Sequence, residues 1–127
     1  MKKDSNAVRL GRRHSKTDAR TQFAALCYRK RKKKKYEILL ITGRKSGRWK
    51  LPKGWPVNGL TPAEAAIKEA YEEAGVLGTC HEECIGHYCY AKSLGKRRRT
   101  LPCIVAVFPV RCTKFTDEYP ESLNLNH

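Results

Sequence analysis

The chain has 127 residues, room for one domain with a real core and not for two. Its 27 lysines and arginines against 12 acidic residues give a formal net charge of +15, which points to an anionic partner: nucleic acid, a membrane surface or a phosphorylated small molecule. No apolar run is long enough to span a membrane, and no apolar segment follows the charged N-terminus to make a secretory signal, so a cytoplasmic location is expected.

Residues 1–19 are polar, basic and without sustained periodicity, and read as a flexible arm ahead of one domain over 20–127. Thr21–Arg29 is apolar and aromatic enough for a strand buried on at least one face. The run RKRKKKK at 29–35 is too charged to pack and reads as a hairpin-like loop, either simply solvated or an electrostatic funnel for a polyanion. Tyr36–Thr42 is expected as a second core strand, antiparallel to the first across that loop. Gly43–Arg48 is a turn carrying three cations. In the following Pro52-Lys53-Gly54, Lys53 can present a point charge to phosphate and Gly54 permits close backbone approach.

A helix is expected over 62–74. Thr61 is a natural N-cap, Pro62 suits the first helical position, Glu64 completes a capping box, and Gly75 is placed to end the helix in a left-handed conformation. Glu69, Glu72 and Glu73 fall at i, i+3 and i+4 on one stripe, beside a face of Ala63, Ala66, Ile67, Ala70 and Ala74. A charged stripe can be merely solvated. Here three of the scarce carboxylates gather beside a Lys-Gly-Trp-Pro loop, and oxygen donors at this spacing suit Mg²⁺, or Mn²⁺, better than zinc.

After the helix, Gly86–Ala91 reads as a strand with aromatic alternation, and 93–100 as a tight hairpin loop with cations Lys96–Arg99. Leu101–Cys112, the longest apolar run, is expected at the centre of the sheet, bracketed by Pro102 and Pro109. The six cysteines are expected as reduced thiols, largely buried. The cluster Cys80, His81, Cys84, His87 and Cys89 lacks the paired Cys-x-x-Cys spacing of a zinc site.

The stretch Leu51–Val76 resembles the Nudix box, Gly-x5-Glu-x7-Arg-Glu-U-x-Glu-Glu-x-Gly-U, with U a bulky apolar residue. Gly54, Glu69, Glu72, Glu73, Gly75 and Val76 match without a gap, whereas Leu60 replaces the first Glu, Lys68 replaces the Arg, and Ala70 is smaller than usual. The resemblance implies an α/β Nudix fold, a mixed sheet in an α-β-α sandwich. It also implies Mg²⁺-dependent hydrolysis of phosphoanhydride bonds, with Glu69, Glu72 and Glu73 as metal ligands and catalytic groups. The Arg of the box orients the first of these glutamates in relatives. Relatives carry a further C-terminal helix that this sequence does not show, and one sheet face is expected to be poorly covered. Trp49 is expected, as in relatives, to pack beneath the loop; Trp55 is left open. Either Glu118 or Glu121 could supply a loop carboxylate as base.

Across about residues 20–112 the chain also resembles diphosphoinositol polyphosphate phosphohydrolases. By position, Arg20, Arg44 and Arg97, Arg98, Arg99 match the cations that embrace the inositol in that subfamily, with Lys53 and Gly54 at the phosphates. The alternative is a diadenosine polyphosphate hydrolase, for which Tyr88 and Tyr90 offer stacking platforms. A cleaner of oxidised nucleotides would not need such positive charge. A non-catalytic polyanion- or RNA-binding module is the alternative of a different class, not favoured because all three metal glutamates are present and no RNA-binding aromatic motif accompanies the basic loops.

Overall fold

The two most apolar runs of the chain lie side by side. Strand β1 (Arg20–Lys30) and strand β8 (Thr100–Phe115) pair in parallel, in register from Arg20 opposite Cys103 to Tyr28 opposite Arg111. The computed structural model describes residues 20–43, 47–95 and 99–121; residues 1–19, 44–46, 96–98 and 122–127 lie outside this description. Between β1 and β8 run β2 (Tyr36–Ile38), β3 (Ile41–Thr42), β4 (Trp49–Lys50), β5 (Lys53–Gly54), helix α1 (Pro62–Ala74), β6 (Val76–Cys80) and β7 (Gly86–Ser93). The outer edge of β1 is shared by β5 and β2, and that of β8 by β7 and β6, all antiparallel. The sheet is therefore mixed, with β8 near its centre as expected.

Strand alternation divides the core. Phe23, Ala25 and Cys27 of β1, with Ala106, Phe108 and Val110 of β8, face α1, and the rings of Phe23 and Phe108 meet edge to face at 6.0 Å. On the other face Ala24, Val105 and Val107 form a smaller cluster with Leu26, Leu51 and Tyr90. The helix buries Ala63, Ala65, Ala66 and Ala70. Methyl side chains let its axis approach the sheet closely, which brings its glutamates within reach of the strand backbone.

The ends of α1 follow the sequence. Thr61 Oγ1 accepts from the Glu64 N–H at 3.1 Å, Glu64 Oε1 accepts from the Thr61 N–H at 2.8 Å, and Gly75 is left-handed at φ 70°. A side chain at Gly75 would also strike the ring of Tyr119, because the segment after β8 folds back here. The Thr116 N–H donates to Gly75 O at 2.8 Å and the Glu121 N–H to Glu72 O at 3.1 Å.

Several expectations are corrected. Tyr36–Thr42 is not one core strand: β2 is an exposed edge on the far end of β1, and β3 leaves it to form a two-stranded ribbon with β4. The break comes at Leu39, whose N–H donates to Cys27 O at 2.9 Å while its side chain turns onto the helix-side core. Trp49 rides on that ribbon and is 70% exposed; Leu51 and Pro52 turn inward in its place. Among the described residues α1 is the one α-helix, and they place a helix on one face of the sheet only. All six cysteines are free, but only Cys27 and Cys103 are fully buried, and Cys89 is exposed. No helix among the described residues is long and apolar enough to cross a membrane.

Candidate active site

The site forms where α1 crosses the start of the sheet. Gly54 pairs with Phe23 and faces the helix, and a Cβ built there would sit 2.7 Å from Glu69 Oε1, closer still to the rest of that carboxyl group. Gly54 is thus a cradle: the missing side chain is the space that the Glu69 carboxylate occupies. One helical turn on, the Glu73 carboxyl comes up against that of Glu69 and the backbone of Lys53. The Glu73 carboxyl is pushed up to about 8, first by burial, then by the hydrogen bond to Glu69, then by the charges of Glu69 and Glu121; the Lys53 N–H opposes these. Two carboxyls held this close share a proton unless a cation takes its place.

Glu72 is placed differently. It is engaged by the ammonium of Lys68 one turn before it, an ion pair that raises the Lys68 amine through the hydrogen bond to Glu72. Lys68 thus pairs with Glu72 rather than steadying Glu69, the role that the resemblance gives to the Arg of the box. Glu69 is steadied by the Gly54 cradle instead. Among the described residues no three acidic, histidine or cysteine side chains converge tightly enough to hold a cation; two of the predicted ligands meet, and the third is one ion pair away. The donor set fits a hard divalent ion: all oxygen, half-buried at Glu73, and short of positive charge.

On the opposite face of the sheet Lys53 extends its amine over the ring of Tyr90, 5.0 Å from the centroid. Burial lowers this amine, and Lys50 and Lys92 lower it further, while Glu73 works the other way. Three lysines therefore gather on that face, and among them the Lys53 amine feels the charge of Glu73 through the sheet. Tyr90 donates to Gln22 Oε1 at 2.5 Å, and its ring lies 6.4 Å from that of Tyr88. Gln22, only 3% exposed, is the buried polar side chain that fixes Tyr90. Arg20 begins β1, in register with Cys103 and, through it, with Tyr90. Arg99 closes the β7–β8 hairpin, its carbonyl accepting from the Leu94 N–H at 3.0 Å. Arg44, Arg97 and Arg98 lie outside the described residues.

The sequence reading missed Lys50, Lys92 and Gln22. The period-two spacing of Tyr88, Tyr90 and Lys92 was the available signal, since it puts all three on one face. Of the two loop carboxylates, Glu121 is the one whose charge reaches Glu73.

The family model of the NUDIX domain matches residues 20–121. The chain belongs to the Nudix family. It is 35% identical over 97 residues to Nudix hydrolase 21, chloroplastic, from Arabidopsis thaliana, an alignment covering 75% of this chain and 46% of that protein. The chain thus spans about half the length of this relative. Among solved structures it resembles the C. elegans Ap4A hydrolase, with a TM-score of 0.51, 24% identity, and coverage of 76% of this chain and 74% of that one. It also resembles the Nudix domain of Shewanella oneidensis NrtR complexed with ADP ribose, with a TM-score of 0.53, 13% identity, and coverage of 85% and 71%. At these identities the structural likenesses speak for the Nudix fold alone.

Proposed function

We propose that this Nudix chain hydrolyses phosphoanhydride bonds in a highly phosphorylated small molecule with the help of a divalent cation. The observation that carries this reading is the Glu69 carboxyl seated on the Gly54 backbone with Glu73 against it, and the Lys53 amine within reach of the Glu73 charge. Glu69 and Glu73 would hold Mg²⁺, or Mn²⁺, with Glu72 joining once released from Lys68. A bound cation would neutralise phosphate charge and lower the pKa of an attacking water. Lys53, with Lys50 and Lys92 behind it, stabilises the non-bridging oxygens of the phosphate chain. Glu121 is the loop carboxylate best placed to take a proton from water. The domain that does this spans 20–127, with residues 1–19 as a basic arm.

For the substrate, the resemblance over 20–112 favours a diphosphoinositol polyphosphate, held by Arg20, Arg99, Lys53 and the cations Arg44, Arg97 and Arg98. A dinucleoside polyphosphate is the second reading, and a specific observation favours it. Tyr88 and Tyr90 lie beside the Lys53 amine, a surface suited to a base with phosphates trailing toward the carboxylates. The test is release of phosphate from a diphosphoinositol pentakisphosphate, and of nucleotide from diadenosine hexaphosphate, with Mg²⁺ and with chelator. Mg²⁺-dependent turnover that is lost in Glu73→Gln supports the hydrolase. Preference for the inositol compound supports the first reading; preference for the dinucleotide, lost in Tyr88→Ala, supports the second. Turnover of neither by folded protein would refute both.

A further inference from the structure

At the other end of β1 the chain carries seven consecutive cations, Arg29–Lys35. The turn through Lys32–Lys34 is tight, and Lys33 and Lys34 both sit in the left-handed region, at φ 62° and 60°. Such positions favour Gly or Asn, and lysine stands there instead. The nearest carboxylate, Glu37, is already engaged by Arg29 at 2.7 Å and faces Arg31 at 3.6 Å. The lysines of the loop are all exposed. Phe23, opposite the Gly54 cradle, is seven residues before Lys30, so about 23 Å of extended strand separates the loop from the carboxylates.

Beside this loop the fold assembles an aromatic row that the sequence does not show. Tyr36, 60% exposed, meets Tyr28 edge to face at 6.0 Å, and Tyr28 in turn lies against His81 at 6.4 Å with the rings 21° apart. Tyr28 Oη and His81 Nε2 are 3.1 Å apart, which holds the row together across three strands' width. Arg111, exposed, is in register with Tyr28, and Lys30 with Tyr36. Rings on an open sheet face, flanked by cations, are what an unstacked base and its backbone require. The 1–19 segment cannot complement this surface by charge, since its six lysines and arginines outnumber two aspartates.

We propose that the β1–β2 hairpin and the adjoining Tyr36–Tyr28–His81 row form a second binding surface, for single-stranded nucleic acid. It is separate from the carboxylate site. Lys30–Lys35 follow the phosphates, and Tyr36 receives a base.

The test measures binding of fluorescent 20-nucleotide single strands, RNA and DNA of the same sequence, by anisotropy across a salt series. Variants are Tyr36→Ala and the triple charge reversal Lys32→Glu, Lys33→Glu, Lys34→Glu, each checked for folding by thermal melting. With about four phosphates contacted, log K falls with log salt at a slope of about −3, and the triple variant removes about 2 of that slope. Tyr36→Ala weakens binding about fivefold or more while leaving the slope unchanged, which generic attraction to a chain of charge +15 does not predict. A loss of threefold or more in both variants, with either nucleic acid, supports the proposal. A smaller loss in either variant overturns it. So does a result in which the variants lose binding to phosphatidylserine vesicles but keep the oligonucleotide, since the hairpin would then be a membrane patch.

Discussion

Gly54→Ala separates the fold of this protein from its chemistry. The Gly54 backbone is not left-handed, so alanine is conformationally acceptable there. The new methyl carbon would lie 2.7 Å from Glu69 Oε1 and closer still to its Oε2 and Cδ, against about 3.2 Å for carbon–oxygen contact, so the carboxylate must recede by about 1 Å. It can do so by turning its last two torsions, because it is the end of a flexible side chain. Stability should therefore change by no more than about 1 kcal/mol in either direction, or about 5 °C in Tm. A metal ligand tolerates only about 0.2 Å of error, and misplacement of a catalytic group by about 1 Å lowers rates about 100-fold. The expected result is a folded variant with near wild-type Tm and Mg²⁺-dependent phosphate release reduced about 100-fold. The assay pairs thermal melting with phosphate release at saturating Mg²⁺. Wild-type turnover would refute the assignment of Glu69 in this pose to the metal site, and an unfolded variant would refute the claim that the carboxylate can swing aside.

Three further outcomes follow from the same geometry. The Glu73 carboxyl stands near 8 when folded against an ordinary 4.5, so between those values the folded state keeps a proton that the unfolded state has lost. Stability then falls as pH rises, by up to about 1.4 kcal/mol per unit, and by about 2 kcal/mol over the window once water access is allowed for. Melting in chelator from pH 5 to 8.5 should show this decline, and Glu73→Gln should flatten it; an equal decline in the variant would place its origin elsewhere. Lys68→Met should raise Mn²⁺ affinity about twofold by calorimetry, because the cation no longer competes with the Lys68 ammonium for Glu72; weaker binding would mean that Lys68 supports the site. Ala70→Leu, at a fully buried position against the sheet, should lower stability by about 1–3 kcal/mol in urea unfolding and reduce turnover as well.

What the sequence revealed was chiefly local. The bounds of α1 are encoded within a few residues of each end, in Thr61, Pro62, Glu64 and Gly75, and the structure reproduces them. The centrality of β8 follows from its length and apolarity. The errors concern coverage, which no local pattern contains. Tyr36–Thr42 is as apolar as a core strand, but its first part runs along a stretch of β1 that α1 does not cover, so β2 stays exposed and Leu39 turns onto the helix-side core. Trp49 was expected inside from the resemblance to relatives and lies outside on the β3–β4 ribbon. At the site, helical spacing put three glutamates on one stripe, but only tertiary contact decides their partners. Glu69 and Glu73 meet because Gly54 makes room, and Glu72 turns to Lys68 because that residue is four positions before it. Lys50, Lys53 and Lys92 come from three separate strands and could be grouped only by the sheet.

The alanines of α1 connect packing to chemistry. Ala63, Ala66 and Ala70 repeat along the buried face with Ala65, and Ile67 is the one larger side chain of the helix that packs partly against the core. Close approach is what lets a glutamate side chain reach the backbone of β5 from the helix, and it is also what buries Glu73 enough to resist ionising. Larger apolar residues at these positions would add buried area, worth about 0.8 kcal/mol per methylene if they could be accommodated. They would also lift the carboxylates away from Gly54 and toward water, where a charged pair repels less and has less need of a cation. The alanine-rich helix face and the carboxyl pair are therefore one design: the surface forgone in packing is what places two acids where positive charge is most stabilising.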